Sequence, residues 1–253
     1  MYATERQQAI LARAREHGRA EVAQLAADLA VTPETIRRDL TALERQGLLR
    51  RVHGGAIPVE RLGAEAALAT REARLVTEKE RIAKRALEEV PEEGSVVLDA
   101  GSTTVRLAEA LPAERRLTVV TNSLPIAALL AARPGIALHV VGGQARSQTQ
   151  ALVGDWAASA LADVCVDVAF MGTNGMSPQR GLTTADRQEA GTKRAMMAAA
   201  RRCVVLADHT KAGTDHFASF ARLDQVDLVV SDTGLDPDLA DELAAAGPEV
   251  VLA

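Results

Sequence analysis

The stretch VTPETIRRDLTALERQGLLRRVHGGA, residues 31–56, decides the fold of the first part of the chain. Thr32 is a suitable N-cap, and Pro33 suits the first position of a helix because the N–H that proline lacks would have no partner there. The helix is expected to run to Gln46 and to stop at Gly47. The residues that follow, LLRRVHGGAIPV, form two short extended pieces around a Gly-Gly pair and therefore predict a β-hairpin.

This helix separates apolar from basic side chains. At about 100° per residue, Ile36, Leu40 and Leu43 fall on one face and form a core stripe. The residues of the opposite face are polar or charged, namely Glu34, Arg37, Arg38, Thr41 and Arg45. Guanidinium groups on such a face can meet phosphates and grip guanine O6 and N7 with two hydrogen bonds. The alternative is a solvated face with ion pairs such as Glu34–Arg38.

Two shorter helical patterns precede this helix. Thr4 can cap the first, which Gly18 ends, and residues 21–30 predict the second. A short helix, a tight turn and a second helix with a basic outer face are typical of a helix-turn-helix. The hairpin that follows carries Arg51 and His53 and is interpreted as a wing beside the DNA backbone.

Composition limits the classes of protein that this chain can be. The 253 residues suffice for a small and a larger domain, and 47% hydrophobic residues with 2% aromatics predict an aliphatic core. The net charge is −5, and residues 1–60 hold nine arginines against eight acidic residues, so anion binding there must come from local clustering. Residues 126–132 are too short an apolar run to span a bilayer, and the N-terminus lacks an apolar signal core. A soluble cytoplasmic protein is expected.

The cysteines indicate no metal or redox chemistry. Cys165 and Cys203 lie far apart, each in or beside an apolar run, and are interpreted as inert core thiols in a reducing cytosol. The sequence contains no paired Cys/His spacing, Walker loop or nucleophile elbow. Neither a metal nor a cofactor is expected.

From Ser95 onward, nearly continuous apolar runs alternate with amphipathic stretches. The runs are SVVLDAG, LTVVTNS, IALHVVGG, VDVAFMG, RCVVLAD, DLVVSD and EVVLA. Such runs are typical of a mostly parallel sheet covered by helices on both faces. The sequence therefore predicts an α/β protein with three parts: a small winged helix-turn-helix domain at 1–57, a linker at 58–80 that becomes helical near Thr77, and a larger α/β sensor domain at 81–253.

Polar and glycine-rich loops follow five of these strands. They are residues 100–104, Asn122 with Ser123, Gly142 with Gly143, residues 172–175, and residues 209–211. Ligands of open α/β sheets bind beyond the carboxyl ends of the strands, where glycine N–H groups, hydroxyls and a helix N-terminus can hold an anion. Arg146, Lys193 and Lys211 would add positive charge. The same residue types are ordinary in turns, but their recurrence at successive strand ends predicts a pocket for a phosphorylated polyol.

A catalytic alternative rests on Asp186, Glu189 and Lys193. A carboxylate and a lysine four residues apart on a helix could transfer protons in aldose–ketose isomerisation. The same two residues are equally an ordinary helical salt pair. Because a dedicated DNA reader shares the chain, a sensor is favoured over a sugar-phosphate isomerase or lyase with an accessory DNA-binding module.

Residues 31–56 closely resemble the N-terminal motif of DeoR-family bacterial transcriptional regulators, which is a winged helix-turn-helix. Further along, LDAGSTT, VVTNS, GG with Arg146, FMGTNGMS, GLTTAD and ADHTK look like successive motifs of the sensor domain of that family, which is similar in fold to ribose-5-phosphate isomerase. The two matches cover nearly the whole chain in family order. The resemblance implies a repressor of carbohydrate-metabolism genes that binds double-stranded operator DNA and senses a small phosphorylated sugar.

The residue patterns and the resemblance together supply candidate residues for both functions. The candidates for DNA contact are Thr35, Arg37, Arg38, Thr41, Arg45, Arg51 and His53. The candidates for the effector pocket are Asp99, Gly101, Ser102, Thr103, Thr104, Asn122, Gly143, Arg146, Gly172, Asp186, Lys193 and Lys211. No catalytic residue and no membrane partner is expected. Since one small reader gives too little affinity and specificity, a homo-oligomer, dimer or tetramer, is expected on repeated half-sites.

Overall fold

The computed structural model describes residues 3–45, 48–52, 54–58 and 65–253. The chain divides into two compact units, Met1–Arg61 and Leu62–Ala253. The domain boundaries expected from the sequence, 1–57, 58–80 and 81–253, stay a prediction. Outside the described residues lie Gln46, Gly47, His53 and the side chains of Thr4 and Arg50. The first helix already includes Ala3, so Thr4 lies within it and its predicted role as N-cap is wrong.

The described part of the first unit combines three helices with a small antiparallel sheet. The helices are α1 (Ala3–His17), α2 (Val22–Asp28) and α3 (Pro33–Arg45), and the strands are β1 (Ala20–Glu21), β2 (Leu49–Val52) and β3 (Gly55–Pro58). The strand order is β1-β3-β2. A Cβ on Gly55 would lie 2.2 Å from the carbonyl oxygen of Ala20, so only glycine lets β1 and β3 approach each other.

The predicted beginning and apolar stripe of α3 are confirmed. The Thr35 N–H donates to the Thr32 hydroxyl at 3.2 Å, which is the expected N-cap bond. Ile36, Leu40 and Leu43 are buried, in one cluster with apolar residues of α1 and α2. The first unit thus has a hydrophobic core of its own.

The prediction that residues 21–30 form one helix is wrong at its start. Ala20 and Glu21 form β1, which pairs antiparallel with the beginning of β3, and α2 occupies only Val22–Asp28. Ala20 is buried under this pairing. The strand depends on a partner far along the chain, so its local sequence does not reveal it.

The second unit has the alternation of strands and helices that the sequence predicts. Its helices are α4 (Leu68–Glu72), α5 (Val76–Ala86), α6 (Ser102–Ala110), α7 (Leu124–Leu130), α8 (Asp155–Ala162), α9 (Arg187–Ala198) and α10 (Pro237–Ala245). Its strands are β4 (Glu93–Leu98), β5 (Arg116–Thr121), β6 (Ile136–Val140), β7 (Gln144–Ala145), β8 (Leu152–Val153), β9 (Val166–Gly172), β10 (Gly175–Ser177), β11 (Gly181–Thr184), β12 (Ala200–Leu206), β13 (Ala218–Ala221), β14 (Leu228–Ser231) and β15 (Glu249–Leu252). Short 3-10 turns occupy Leu87–Glu89, His209–Lys211 and Leu223–Gln225.

Within residues 65–253, a parallel sheet of seven strands forms the centre of this unit, in the order β15-β14-β12-β9-β4-β5-β6. All seven strands correspond to apolar runs in the sequence, so the predicted α/β class is confirmed. Val96 and Leu98 of β4 and Phe170 of β9 contribute to one apolar cluster, while Val97 and Met171 contribute to another. Alternate residues therefore bury both faces of the sheet.

Two other details differ from the sequence interpretation. Helix α4 lies within the stretch predicted as a linker, whereas α5 begins at Val76, one residue before the expected Thr77. Cys203 is buried on β12 as expected, and burial raises its pKa to about 11. Cys165 is exposed, so its assignment to the core is wrong: it lies in the turn before β9, not within the apolar run that follows.

Among the described residues, no helix combines the length and the apolar character needed to cross a membrane. The same residues contain no group of three His, Cys, Asp or Glu side chains placed to hold a metal ion.

Phe170 provides a test of the central layer. Its side chain is fully buried on β9, so Phe170→Ala should lower the free energy of unfolding by about 3–5 kcal/mol through lost burial and a cavity. Phe217→Ala is the matched control, because Phe217 is 61% exposed, and it should change that free energy by less than about 0.5 kcal/mol. Urea denaturation followed by circular dichroism measures both. Equal losses would contradict the assignment of Phe170 to the core.

Candidate functional site

The basic face of α3 is open. Arg37 and Arg38 are exposed, on the side of the helix away from the buried Ile36. Glu34 pairs with Arg37 at 3.4 Å, not with Arg38, and both partners of this pair are more than half exposed. Such a pair contributes little to stability, so it leaves the guanidinium available to another anion.

The hairpin brings a further arginine to this surface. Arg51 on β2 lies with its Nη1 3.5 Å from the hydroxyl of Thr41, which itself donates to the Arg37 carbonyl oxygen at 2.8 Å. The Arg51 backbone N–H donates to Glu44 at 2.9 Å, which ties the hairpin to α3. Arg37, Thr41 and Arg51 thus form one continuous polar surface, and the exposed Arg45 extends α3 beyond it.

A buried ion pair fixes α3 against α1. Asp39 is 4% exposed and accepts hydrogen bonds from Arg6 and from the side chain of Gln7 at 3.2 Å. Because Asp39 follows Arg38 directly, anchoring its side chain inward turns the neighbouring arginines outward. The orientation of the basic face is therefore built into the packing of the reader.

In the second unit, the order of the sheet identifies the edge at which a ligand would bind. The chain goes from β4 to β5 on one side, and later returns to the other side of β4 as β9. The carboxyl ends of β4 and β9 therefore flank a topological switch point, where open α/β sheets form their ligand crevices. Asp99 follows β4 and Gly172 ends β9, and both are candidates from the sequence.

A buried lysine–aspartate pair joins these strand ends. Asp99 Oδ2 accepts the Gly172 N–H at 2.9 Å and pairs with the ammonium of Lys193 on α9. The Lys193 ammonium also donates to the Gly172 carbonyl oxygen at 3.0 Å, lies 3.7 Å from a Glu189 oxygen, and stands over the Phe220 ring at 5.4 Å. Both Lys193 and Asp99 are almost completely buried, so Lys193 is not an ordinary solvated helix residue.

The loop after β4 is held by hydrogen bonds to its backbone. Thr104 on α6 donates to the carbonyl oxygens of Asp99 and Gly101, at 2.6 and 2.9 Å. Asn122, at the end of β5, accepts the N–H of Ala100 at 2.8 Å. Within the described part of the chain, Asp99 Oδ1 and Asn122 Nδ2 are buried without a hydrogen-bond partner. One acceptor and one donor are therefore unused beside this loop.

A second ion-pair cluster continues from Lys193. Glu189 receives hydrogen bonds from Arg146 and, at 3.3 Å, from the hydroxyl of Thr184. Burial raises the pKa of Glu189 above its usual range, although Lys193 and Arg146 act in the opposite direction. Burial alone would lower the pKa of Arg146, but the carboxylates of Glu189 and Glu65 outweigh it and raise that pKa. Arg146 is thus already held by carboxylates of its own chain.

The remaining candidates occupy separate places. Ser102 and Thr103 are buried in the first turn of α6, and Asp186 caps α9 by accepting the Glu189 N–H at 2.8 Å. Gly143 has φ +130°, and a Cβ there would lie 2.5 Å from the Val153 carbonyl oxygen, so packing against β8 accounts for this glycine. Lys211 lies in the 3-10 turn after β12. The contacts join Asp99, Gly172 and Lys193 directly, but they do not bring Gly143 or Lys211 to them.

The sequence interpretation missed several residues around Arg146. Glu65 accepts a hydrogen bond from Arg146 at 2.9 Å and another from Asn174 at 2.9 Å, and Arg71 lies 3.9 Å from it. Glu65 and Arg71 belong to the stretch predicted as a linker, where the local pattern gives no signal for a buried site. Asn174 stands in one of the strand-end loops, and that position is the one signal that could have indicated it.

Both units match models of one protein family. Residues 6–61 match the DeoR-like helix-turn-helix domain, and residues 74–233 match the DeoR C terminal sensor domain. The second match alone covers more than half of the chain. The motifs that resemble this family thus lie within regions that the family models recognise.

Relatives of known name are regulators of transcription. The chain is 39% identical to the HTH-type transcriptional regulator GlpR of Haloferax volcanii, over 91% of this chain and 90% of that protein. It is 30% identical to the glycerol-3-phosphate regulon repressor of Escherichia coli (strain K12), over 92% of each protein. Among solved structures, ribose 5-phosphate isomerase A of Neisseria gonorrhoeae matches with a TM-score of 0.38 and 21% identity, over 53% of this chain and 52% of that one. That likeness is too weak to indicate an activity.

The Lys193–Asp99 contact can be tested by removing one charge. Lys193→Met leaves buried carboxylates without their cation, and should lower the free energy of unfolding by about 3–5 kcal/mol. The double variant Asp99→Asn, Lys193→Met should recover part of that loss, because the unpaired charge of Asp99 is gone. Lys84→Met, at an exposed position of α5, is the control. If urea denaturation gives the same loss for the single and the double variant, the two side chains are not coupled.

Proposed function

The chain belongs to the DeoR family of transcriptional regulators, and on that premise we propose that it represses genes of carbohydrate metabolism under the control of a phosphorylated sugar. The first unit binds operator DNA and the second binds the effector. One observation carries this function most directly: α3 buries its apolar stripe and leaves its adjacent arginines exposed.

The exposed face of α3 supports direct reading of the operator. Arg37 and Arg38 lie in the first half of the helix, which is the part that a recognition helix presents to base edges in the major groove. In this proposal, Arg51 on the neighbouring hairpin contacts the sugar-phosphate backbone of the DNA beside the major groove. The full set of DNA-contacting residues in this proposal is Thr35, Arg37, Arg38, Thr41, Arg45, Arg51 and His53.

The loop after β4 supports binding of a sugar phosphate. Helix α6 begins at Ser102 at the switch point of the sheet, so its first N–H groups and its dipole favour an anion there. The unused atoms Asp99 Oδ1 and Asn122 Nδ2 offer an acceptor and a donor to hydroxyl groups. A relative named for a glycerol-3-phosphate regulon is consistent with a phosphorylated polyol as the effector.

The protein senses the sugar phosphate without converting it. The side-chain nitrogen of Lys193, which the catalytic alternative would use for proton transfer, is buried and already bonded to Asp99 and to the Gly172 carbonyl oxygen, so it is engaged within the protein. A coupled turnover assay over a panel of sugar phosphates tests the isomerase or lyase alternative. No product should form at enzyme-like rates.

A single reader of this size contacts only one half-site. Specific operators are bound by symmetric oligomers that place two readers one helical turn of DNA apart. The active form in this proposal is therefore a homodimer or homotetramer in the cytoplasm, where operator DNA is found.

Arg37→Ala and Arg38→Ala test the DNA-reading face. Each should weaken operator binding by about 1–3 kcal/mol where the arginine reads a base, and each should leave the free energy of unfolding nearly unchanged because neither side chain is buried. Arg201→Ala removes the same charge from an exposed position in the other unit and should bind operator normally. Gel-shift titration measures the affinities. Normal binding by both α3 variants would refute the assignment.

Thr103→Asp tests the effector site. The new carboxylate stands in the first turn of α6, where the phosphate of the effector belongs, and repels it. The effector is first identified as the sugar phosphate that raises the melting temperature of the wild-type protein. The variant should fold and bind operator, but its operator affinity should no longer change when this sugar phosphate is added. Thr77→Asp, at an exposed position of α5, should keep the response. A full response in Thr103→Asp would place the effector elsewhere.

A further inference from the structure

Glu65 buries a carboxylate among groups that ordinarily bind anions. Its side chain is 3% exposed. Oxygen Oε2 accepts from Arg146 Nη1 at 2.9 Å, and Oε1 accepts from the Asn174 amide at 2.9 Å and lies 3.9 Å from Arg71 Nη1. Two guanidinium groups and an amide therefore surround this one carboxylate.

Arg71 is incompletely used in this arrangement. Considering only the residues that the structure describes, its Nε and Nη2 are buried and have no hydrogen-bond partner. A buried N–H that bonds to nothing costs free energy, more so on a charged group. Phosphate has three or four acceptor oxygens where a carboxylate has two, so it could satisfy donors of Arg71 that Glu65 leaves free.

Arg146 is shared between competing carboxylates. Besides Glu65, it pairs with Glu189 and lies 3.8 Å from Asp186. Two buried carboxylates on one guanidinium repel each other, which is unfavourable away from water. An external anion that replaces the Glu65 carboxylate would therefore relieve the repulsion between Glu65 and Glu189 and keep an anionic partner on Arg146.

We propose, as an extension of the effector function above, that Arg71, Arg146 and Asn174 form a second anion subsite, built from other residues than the first turn of α6, which Glu65 occupies when no effector is bound. The ligand group that it takes is a phosphate or a carboxylate. Glu65 acts as an internal competitor, and the incoming anion displaces it. In the sequence, Glu65 follows Arg61, the last residue of the first unit, by four positions, so the subsite lies close in sequence to the DNA-binding unit.

Calorimetric titration of the full-length chain with inorganic phosphate tests this subsite. The experiment uses the Thr103→Asp background, so that binding at α6 is suppressed. Glu65→Gln removes the competing charge and should tighten phosphate binding roughly tenfold, because the open subsite is then more populated. Glu80→Gln, at an exposed position of α5, should leave the affinity within about twofold of the background.

A variant of Arg71 tests whether the gain in phosphate affinity arises at this subsite. In the variant that combines Glu65→Gln with Arg71→Gln, the gain in affinity should disappear, whereas Arg81→Gln at an exposed position of α5 should preserve it. Glu65→Asp keeps the charge but draws it back by one methylene, and should give a smaller gain. Circular dichroism checks the fold, and Glu65→Asp serves if Glu65→Gln does not fold.

Two outcomes would overturn the subsite: an affinity unchanged or weakened in both Glu65 variants, or a gain that survives Arg71→Gln. Either would leave the α6 site intact, because that site is tested by the response of operator binding in Thr103→Asp. Conversely, phosphate binding that depends on Arg71, in a protein that binds no operator, would uphold the subsite and refute the proposed function.

Discussion

The buried contact between Lys193 and Asp99 is the interaction around which the sensor unit is organised. Asp99 ends the path of β4, the Gly172 N–H that it accepts ends β9, and Lys193 belongs to α9. Neither charge has access to water, so each depends on the other and on the Gly172 carbonyl oxygen. The ends of β4 and β9 and helix α9 are therefore held together at the switch point, where the order of the strands reverses.

The sheet itself could be predicted from the sequence because its signal is local. Each strand is an apolar run in which successive residues serve opposite faces, as Val96 and Val97 do on β4. Helix α3 could also be predicted from the sequence, because Thr32, Pro33 and the apolar stripe that includes Leu40 lie within one short stretch. By contrast, β1 depends on its pairing with β3. It has only two residues and no apolar pattern, so the local sequence could not predict it as a strand.

The candidate site was only partly predictable, for a related reason. A topological rule brings Asp99 and Gly172 to one edge, so residue types at strand ends were informative. The partners of those residues depend on packing between distant segments: Arg146 and Glu65 meet across 81 positions of the sequence. Glu65 and Arg71 look like solvated linker charges until the fold buries them. Lys193 looked like half of a helical salt pair, whereas its main partner comes from another strand end.

The two thiols differ in a way that makes the natural chain suitable for site-specific labelling. Cys165 is exposed in the turn between α8 and β9, whereas Cys203 is buried and its pKa of about 11 keeps it protonated at neutral pH. Alkylating reagents attack the thiolate and need access to it, so they discriminate strongly between these positions. A maleimide dye would attach to Cys165 alone and give each sensor unit one fluorophore, without an engineered cysteine. Energy transfer between labelled copies would then report the number of subunits bound to DNA and the distances between them.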